Sequence, residues 1–305
     1  MDSRIRRITY HFPWIGKRLQ AWTRAAEELS RLNPGHYYSP IADDATIERH
    51  ARLDVGMDRR NSIDLSGLDG IDLCLDEQID RARQWSEAGY FSESVFAKYD
   101  PCNSYFMNPD AVMLSAIISA HHPKRVIEVG SGHSTLALLD CLRARSLDGT
   151  KVDAIEPFPE RLLSVIDKTD RQRFTLHART LERSDVEMCR KLAVDDVLLV
   201  DSSHIYKVGS DVQLLFESIL PTLAVGVLIH IHDVFFPFDY PASWLRRGHH
   251  YNEAYVLRAF LQYNRNFEIY MWNDLLRWIP ESAVPTALKP DPSLIAGSLW
   301  LRRVA

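Results

Sequence analysis

The sequence predicts a doubly wound α/β sheet preceded by a helical appendage, and three observations predict it. From residue 108 onward, short apolar runs alternate with segments of helical periodicity. The runs are continuously apolar, as strands covered on both faces require, rather than alternating. Glycines or acids follow four of them directly, where core packing alone asks for neither. The composition agrees: 305 residues, 46% hydrophobic and 25% charged, is an ordinary globular chain long enough for one large domain with an extension.

Residues 1–100 read as the N-terminal helical appendage. Its first part, RIRRITYHFPWIGKRLQAWTRAAEELSRL, carries Trp14 and Trp22 among basic residues. It suits a helix packed on the main domain or on a second copy with a solvated basic face, ahead of the alternative of one lying on an anionic membrane surface. NPGHYYSPIADDATIERH follows as a turn and extended loop that ends in an Asp44 helix cap. From about Ile63 to Lys98 helical spacing returns, with Ile79, Ala82 and Trp85 on one face.

Residues 101–305 hold the sheet. Asn108-Pro109 is a cap and first-turn pair for a helix through His121. RVIEV is the first strand, STLALLDCLRA a helix, KVDAIE the second strand, PERLLSVIDK a helix, RFTLHA the third strand and DDVLLVD the fourth. Asp211 to Leu220 places Val212, Leu215, Phe216 and Ile219 at helical spacing, and GVLIHIHD is the fifth strand. After the helix NEAYVLRAFLQY come two further strands, NFEIYMW and GSLWLRRV, a late pair suited to antiparallel pairing.

Charge and cysteines narrow the function. A net charge of -5 gives no overall footprint for nucleic acid. Cys74, Cys102, Cys141 and Cys189 form no CxxC pair, which points away from a disulfide framework or zinc site and toward a reducing, cytoplasmic setting. No apolar run has the length of a membrane span, and the N-terminus lacks the apolar core of a secretory signal.

In doubly wound sheets ligands sit beyond the carboxyl ends of the strands. After strand one stand Gly130, Ser131, Gly132, His133 and Ser134; after strand two, Glu156 and Pro157; after strand four, Asp201, Ser202, Ser203 and His204; after strand five, Asp233. The glycine turn departs from the dinucleotide pattern GxGxxG, because Thr135 takes the third glycine's place. It departs from a nucleophile elbow too, because Leu136 stands where GxSxG needs glycine. Two readings remain: a sharp turn with no ligand, or a site for a nucleoside without phosphates. In the second, backbone at Gly130 and Gly132 approaches an amino-acid tail, and Glu156 accepts hydrogen bonds from both ribose hydroxyls.

VIEVGSGHST, with acids at the ends of the first two strands and a reversed final strand pair, resembles the class I S-adenosylmethionine-dependent methyltransferases. HYYSPIAD, VDSSHIYKVGSDV, GVLIHIHDVFFPFDYP and LRAFLQYN extend the resemblance to a bacterial subgroup acting on small molecules, over most of the chain from His36. The resemblance implies a Rossmann-like, mostly parallel seven-stranded sheet with a reversed final strand. It also implies S-adenosylmethionine as cofactor, held by Glu128, Gly130, Gly132, Ser134, Glu156 and Asp201, with Glu156 on the ribose. Acids near the sulfonium also have a physical reason, since opposite charges attract strongly where water is sparse.

Methyl transfer needs a lone pair held in line with the methyl carbon and, for a hydroxyl acceptor, a way to remove its proton. Metal-dependent O-methyltransferases use a divalent cation such as magnesium, held by acids after strands four and five, and a nearby base. By that likeness Asp201 and His204 are catalytic candidates, and Asp201, Asp233 and His232 are candidate metal ligands. Val234 stands where those enzymes carry a further Asn or Asp, and His232 is the substitute. On a strand, His230 and His232 share one face, so core hydrogen bonding is the competing explanation for both. The connection VFFPFDYPASWLRRGHHYNEAY, with Phe235, Phe236, Phe238, Tyr240 and Trp244, reads as a wall of the acceptor pocket or as an oligomer contact. Tyr37 and Tyr38 are placed as a closure of that pocket. The resulting expectation is an enzyme that methylates a small-molecule hydroxyl. The alternatives are an NAD-dependent oxidoreductase, and a non-catalytic or oxygenase-like relative whose histidines and acids hold iron.

Overall fold

The computed structural model describes residues 33–56, 68–279, 284–285 and 296–305. The basic segment before residue 33 and the stretch 57–67 lie outside them. Two compact units are present: Met1–Met57 with Pro241–His250, and Asp58–Tyr240 with Tyr251–Ala305.

The second unit contains the sheet. Its strands are β1 (Arg125–Val129), β2 (Lys151–Ile155), β3 (Thr175–His177), β4 (Val197–Val200), β5 (Leu228–Ile231), β6 (Phe267–Trp272) and β7 (Leu299–Arg303). They are ordered β3-β2-β1-β4-β5-β7-β6, and β7 runs antiparallel to both of its neighbours. This is the Rossmann-like, doubly wound sheet with a reversed last strand. All residues of the central strands β4 and β5 are buried, whereas β3, at the edge, is three residues long and largely accessible. Position in the sheet thus explains why apolar runs replace alternation.

Register brings the strand ends to one level. Val129 pairs with Ile155 and with Val200, and Val200 pairs with Ile231. The residues that follow, Gly130, Glu156, Asp201 and the His232-Asp233 pair, therefore leave the sheet together on one edge.

Helices α2 (Leu75–Glu87), α3 (Asn108–His121) and α4 (His133–Ala144) cover the sheet. Helix α3 is buried nearly all round, with Met113, Leu114, Ile117 and Ile118 at most 1% exposed, as a helix apolar on every side must be. Ala82 and Trp85 of α2 enter the same core. In the first unit, α1 (Asp44–Gly56) is capped by Asp43 rather than Asp44, because the Thr46 N–H donates to Asp43 Oδ1.

Other boundaries also differ from expectation. The described part of Ile63–Lys98 is helical only over α2 and a 3-10 turn at Glu93–Val95. Asn108 does not cap α3; its amide donates to Glu93 Oε1. The helix predicted through PERLLSVIDK breaks into α5 (Glu160–Val165) and α6 (Lys168–Arg171), since Asp167 accepts the Thr169 and Asp170 N–H groups and caps a new start. Helix α7 is Asp185–Cys189. Helix α8 (Asp211–Leu214) widens into a π turn at Leu215–Ile219 ahead of Pro221, whose missing N–H ends the regular ladder. Helix α9 (Ala242–Arg246) lies in the first unit; α10 (Glu253–Leu261) and α11 (Asn273–Arg277) lie in the second.

Candidate active site

The turn after β1 is fixed by contacts that only glycine permits. Gly130 has φ +78, and a Cβ there would stand 1.9 Å from the Asp201 carbonyl oxygen. Gly132 is less constrained, because a Cβ would meet the flexible Arg161 side chain no closer than 3.4 Å. Below the turn, the buried Glu128 carboxyl accepts from Ser134 Oγ at 2.7 Å and from Thr135 Oγ1 at 2.6 Å, while the Gly132 N–H donates to Thr135 Oγ1. Burial pushes Glu128 up to about 7, against the two hydroxyl bonds and with help from the Asp201 and Glu156 charges. Glu128 and Ser134, expected on the cofactor, are thus bonded to each other beneath the turn. Thr135, which spoils the dinucleotide pattern, supplies the bond that shapes it.

Glu156 is held from both sides. Its Oε2 accepts the Ser131 N–H at 3.0 Å and its Oε1 accepts the Phe158 N–H at 2.7 Å, which leaves each oxygen a further lone pair. The carboxylate that could receive two ribose hydroxyls is therefore pre-oriented, half-buried, beside the glycine turn.

One strand over, His204 is the hub of a second cluster. It is 7% exposed and sits at φ +58. Its Nδ1 lies 2.9 Å from Glu253 Oε2, and its Nε2 lies 3.4 Å from both Asp201 Oδ1 and Asp233 Oδ2. Burial opposes the imidazolium, but Asp201 and Glu253 outweigh it and hold His204 well above the ordinary histidine range. Burial likewise opposes ionisation of Asp201, yet His232 and His204 hold that carboxyl down to about 2. For Asp233 burial wins, and its carboxyl is raised. Asp233 also has φ +58. Left-handed backbone at two non-glycine residues after adjacent strands is a costly arrangement that clusters at functional sites.

The structure brings Asp201, His204 and Asp233 together as expected; Glu253 it adds. Nothing in the spacing announces Glu253, which lies 49 residues beyond His204 at the start of α10. The only sequence signal is an acid in the first turn of a helix, a common feature there.

The proposed metal ligands do not fit an ion. Among the described residues no group of three His, Cys, Asp or Glu side chains is spaced to hold one. His232 Nε2 lies 3.2 Å from the Tyr105 carbonyl oxygen, which can only accept, so that nitrogen carries its proton and has no lone pair to give. His204 Nε2 occupies the gap between Asp201 and Asp233. His230 is a core residue bonded through Nε2 to Ser298 Oγ.

The aromatic connection also differs from its reading as a pocket wall. Phe235, Phe236, Phe238 and Tyr240 are all buried; Phe236 and Phe238 pack on Trp272 of β6 at 5.4 and 4.5 Å. The Tyr240 hydroxyl accepts the Ala254 N–H. These rings support the strand ends from the core. Trp244 belongs to α9 in the first unit. Tyr37 and Tyr38, also there, are exposed and lie against each other with tilted rings, centroids 4.0 Å apart. A cleft of about 790 Å³, lined by Gly70, Cys74, Tyr263 and Phe267, lies at the amino end of β6 and shares none of these residues.

Residues 127–234 match the family described as a methyltransferase domain. An uncharacterized protein of Archaeoglobus fulgidus is 28% identical over 137 residues; the match takes in 43% of this chain and 60% of that protein's length. Among solved structures, the chain is similar to an apo structure of CmcI (18% identity, 68% of this chain and 72% of that chain, TM-score 0.39). It is also similar to the O-methyltransferase TomG from Streptomyces achromogenes in complex with SAM (12%, 73% and 99%, TM-score 0.43). Likenesses that slight add nothing to the site. The matched segment runs from β1 to the residue after Asp233 and so contains the glycine turn, Glu156, Asp201, His204 and Asp233; over that segment the chain is similar to methyltransferase domains.

Proposed function

We propose that this protein methylates a hydroxyl of a small molecule with S-adenosylmethionine, and that His204 takes the hydroxyl's proton. The observation that carries the reading is the placement of a buried imidazole among three carboxylates one strand away from a glycine turn with a pre-oriented Glu156.

When bound, S-adenosylmethionine supplies an electrophilic methyl carbon on a cationic sulfur. Glu156 would accept from the ribose hydroxyls through its remaining lone pairs, and the backbone of the turn from Gly130 to Gly132 would lie against the amino-acid tail. Asp201, whose N–H donates to the Val129 carbonyl at 2.8 Å, is held at the junction of the two clusters. With Nδ1–H donated to Glu253, Nε2 of His204 is the atom that receives the acceptor's proton, and Asp201 and Asp233 stabilise the imidazolium that forms. Because those acids already favour the protonated ring, His204 serves as base only above its raised pKa.

The reading includes a division at residue 100, with residues 101–305 as the methyltransferase domain and the preceding helical part an appendage whose last section buttresses the sheet. A small-molecule partner in a cytoplasmic setting, without nucleic acid, is supported by the net charge of -5 and four free thiols. Among the described residues no helix is long and apolar enough to cross a membrane. The exposed aromatic pair at Tyr37 and Tyr38 is proposed as a contact between copies. Incubating the protein with methyl-labelled S-adenosylmethionine and a panel of small alcohols, phenols and sugars tests the reading. Labelled ether is expected; turnover of amine acceptors alone would replace the hydroxyl.

A further inference from the structure

We infer that Glu253 is the positioning residue of this site: it fixes both the backbone and the ring of His204, so that Nε2 faces the gap between Asp201 and Asp233. The inference rests on the reading of His204 as the proton acceptor. His204 is held at φ +58, a conformation that a non-glycine residue keeps only when its surroundings impose it. The start of α10 imposes it. The N–H groups of Asn252 and Glu253 both donate to the His204 carbonyl, at 3.1 and 3.2 Å. Two residues on, the Tyr206 N–H donates to Asn252 Oδ1 at 2.6 Å, and Asn252 Nδ2 donates to the Tyr206 carbonyl.

The ring is fixed by the same helix. Glu253, 1% exposed, places Oε2 2.9 Å from His204 Nδ1, and Ser202 Oγ donates to that same oxygen at 2.9 Å. The His204 N–H donates to Ser202 Oγ at 3.0 Å, which closes a loop of three residues around one carboxylate oxygen. Tyr251 covers the ring, with centroids 4.9 Å apart. A carboxylate only accepts, so the Nδ1 atom it faces carries a proton whatever the state of the ring. In the neutral ring the lone pair is then on Nε2 alone, and Nε2 is the atom aimed between Asp201 and Asp233. Glu253 is the first residue of α10, where the amide dipoles of the helix favour a negative charge. Its second oxygen, Oε1, is buried and has no partner among the described residues, so no other group competes for its orientation.

Imidazole 15N spectra of the whole protein, with the His204 signals assigned by their loss in His204→Ala, test this without an acceptor. The wild type is expected to show a slowly exchanging Nδ1 proton and, at high pH, the Nδ1–H tautomer. Glu253→Gln keeps the shape and an accepting oxygen but not the charge, and is expected to speed exchange of that proton at least 10-fold; Glu253→Ala is expected to mix the tautomers. With the panel acceptor that the wild type turns over fastest, kcat should fall roughly 10- to 100-fold in Glu253→Ala and less in Glu253→Gln, with the acceptor KM unchanged within twofold. In a His204→Ala background neither change should cost more, because Glu253 acts through His204. An unaltered His204 spectrum in Glu253→Ala overturns the positioning role. So does an additive loss in the double variant. A His204→Ala enzyme as fast as wild type overturns instead the role of His204 as base, and the spectra would still report on Glu253.

Discussion

Replacing Glu128 with Gln should change the way stability depends on pH. Glu128 is 1% exposed and its carboxyl is pushed from an ordinary 4.5 up to about 7, first by burial. The sign follows from proton binding. Between those values the folded chain holds this proton more tightly than the unfolded chain, so stability falls as pH rises from about 4.5 through 7 and is lowest above it. Raising the carboxyl from 4.5 to about 7 corresponds to roughly 3 kcal/mol, of which about 2.5 kcal/mol develops between about pH 5 and pH 8. The amide of Gln does not titrate, and its oxygen can still accept from Ser134 or Thr135. Urea denaturation of both proteins across that range isolates the term: the variant should gain about 2.5 kcal/mol relative to wild type on going from about pH 5 to pH 8. A difference that stays constant with pH would show that the carboxyl is not carried neutral into the fold, and that the account of the turn is wrong.

Other outcomes follow from the same geometry. Gly130→Ala should lose at least about 3 kcal/mol of stability, or S-adenosylmethionine binding altogether, because its Cβ would stand 1.9 Å from the Asp201 carbonyl oxygen in left-handed backbone; a variant that binds normally contradicts this. His204→Ala should slow single-turnover methyl transfer by roughly 10²- to 10⁴-fold with cofactor affinity intact. In the wild type, kcat/KM should climb with pH through a pKa above the ordinary 6.5 of histidine, since the raised ring must first lose its proton; a bell centred on pH 6 would refute it. Chelator titration should leave turnover unchanged, because His232 Nε2 is committed to the Tyr105 carbonyl and His204 stands between the acids. Loss of activity on chelation, restored by a divalent cation, would overturn that.

The succession of strands along the chain and the residues at their ends were legible because buried parallel strands leave unbroken apolar runs, and because strand termini carry residues that a core would not choose. The acids Glu128, Glu156, Asp201 and Asp233 could be located that way. Their partners could not. Ser134 and Thr135 turn down to Glu128, a choice made by burial rather than by spacing. Glu253 reaches His204 only because α10 returns to the end of β4, a tertiary event with no local pattern. His232 looked like a ligand since imidazoles bind metals; its proton is assigned by a carbonyl more than a hundred residues earlier in the chain. The phenylalanines after β5 looked like a pocket wall, but the core around Trp272 takes them.

The most direct measurement is calorimetric titration of the whole protein with S-adenosylmethionine, repeated with Glu156→Ala and with NAD. Binding of S-adenosylmethionine is expected in the wild type, with a loss of roughly 1.5 to 3 kcal/mol in the variant, about 10- to 150-fold in Kd, as the charge-assisted bonds to the ribose disappear. No binding of NAD is expected. Heat from NAD with none from S-adenosylmethionine would contradict the methyltransferase reading, and an unchanged Kd in Glu156→Ala would remove Glu156 from the cofactor site.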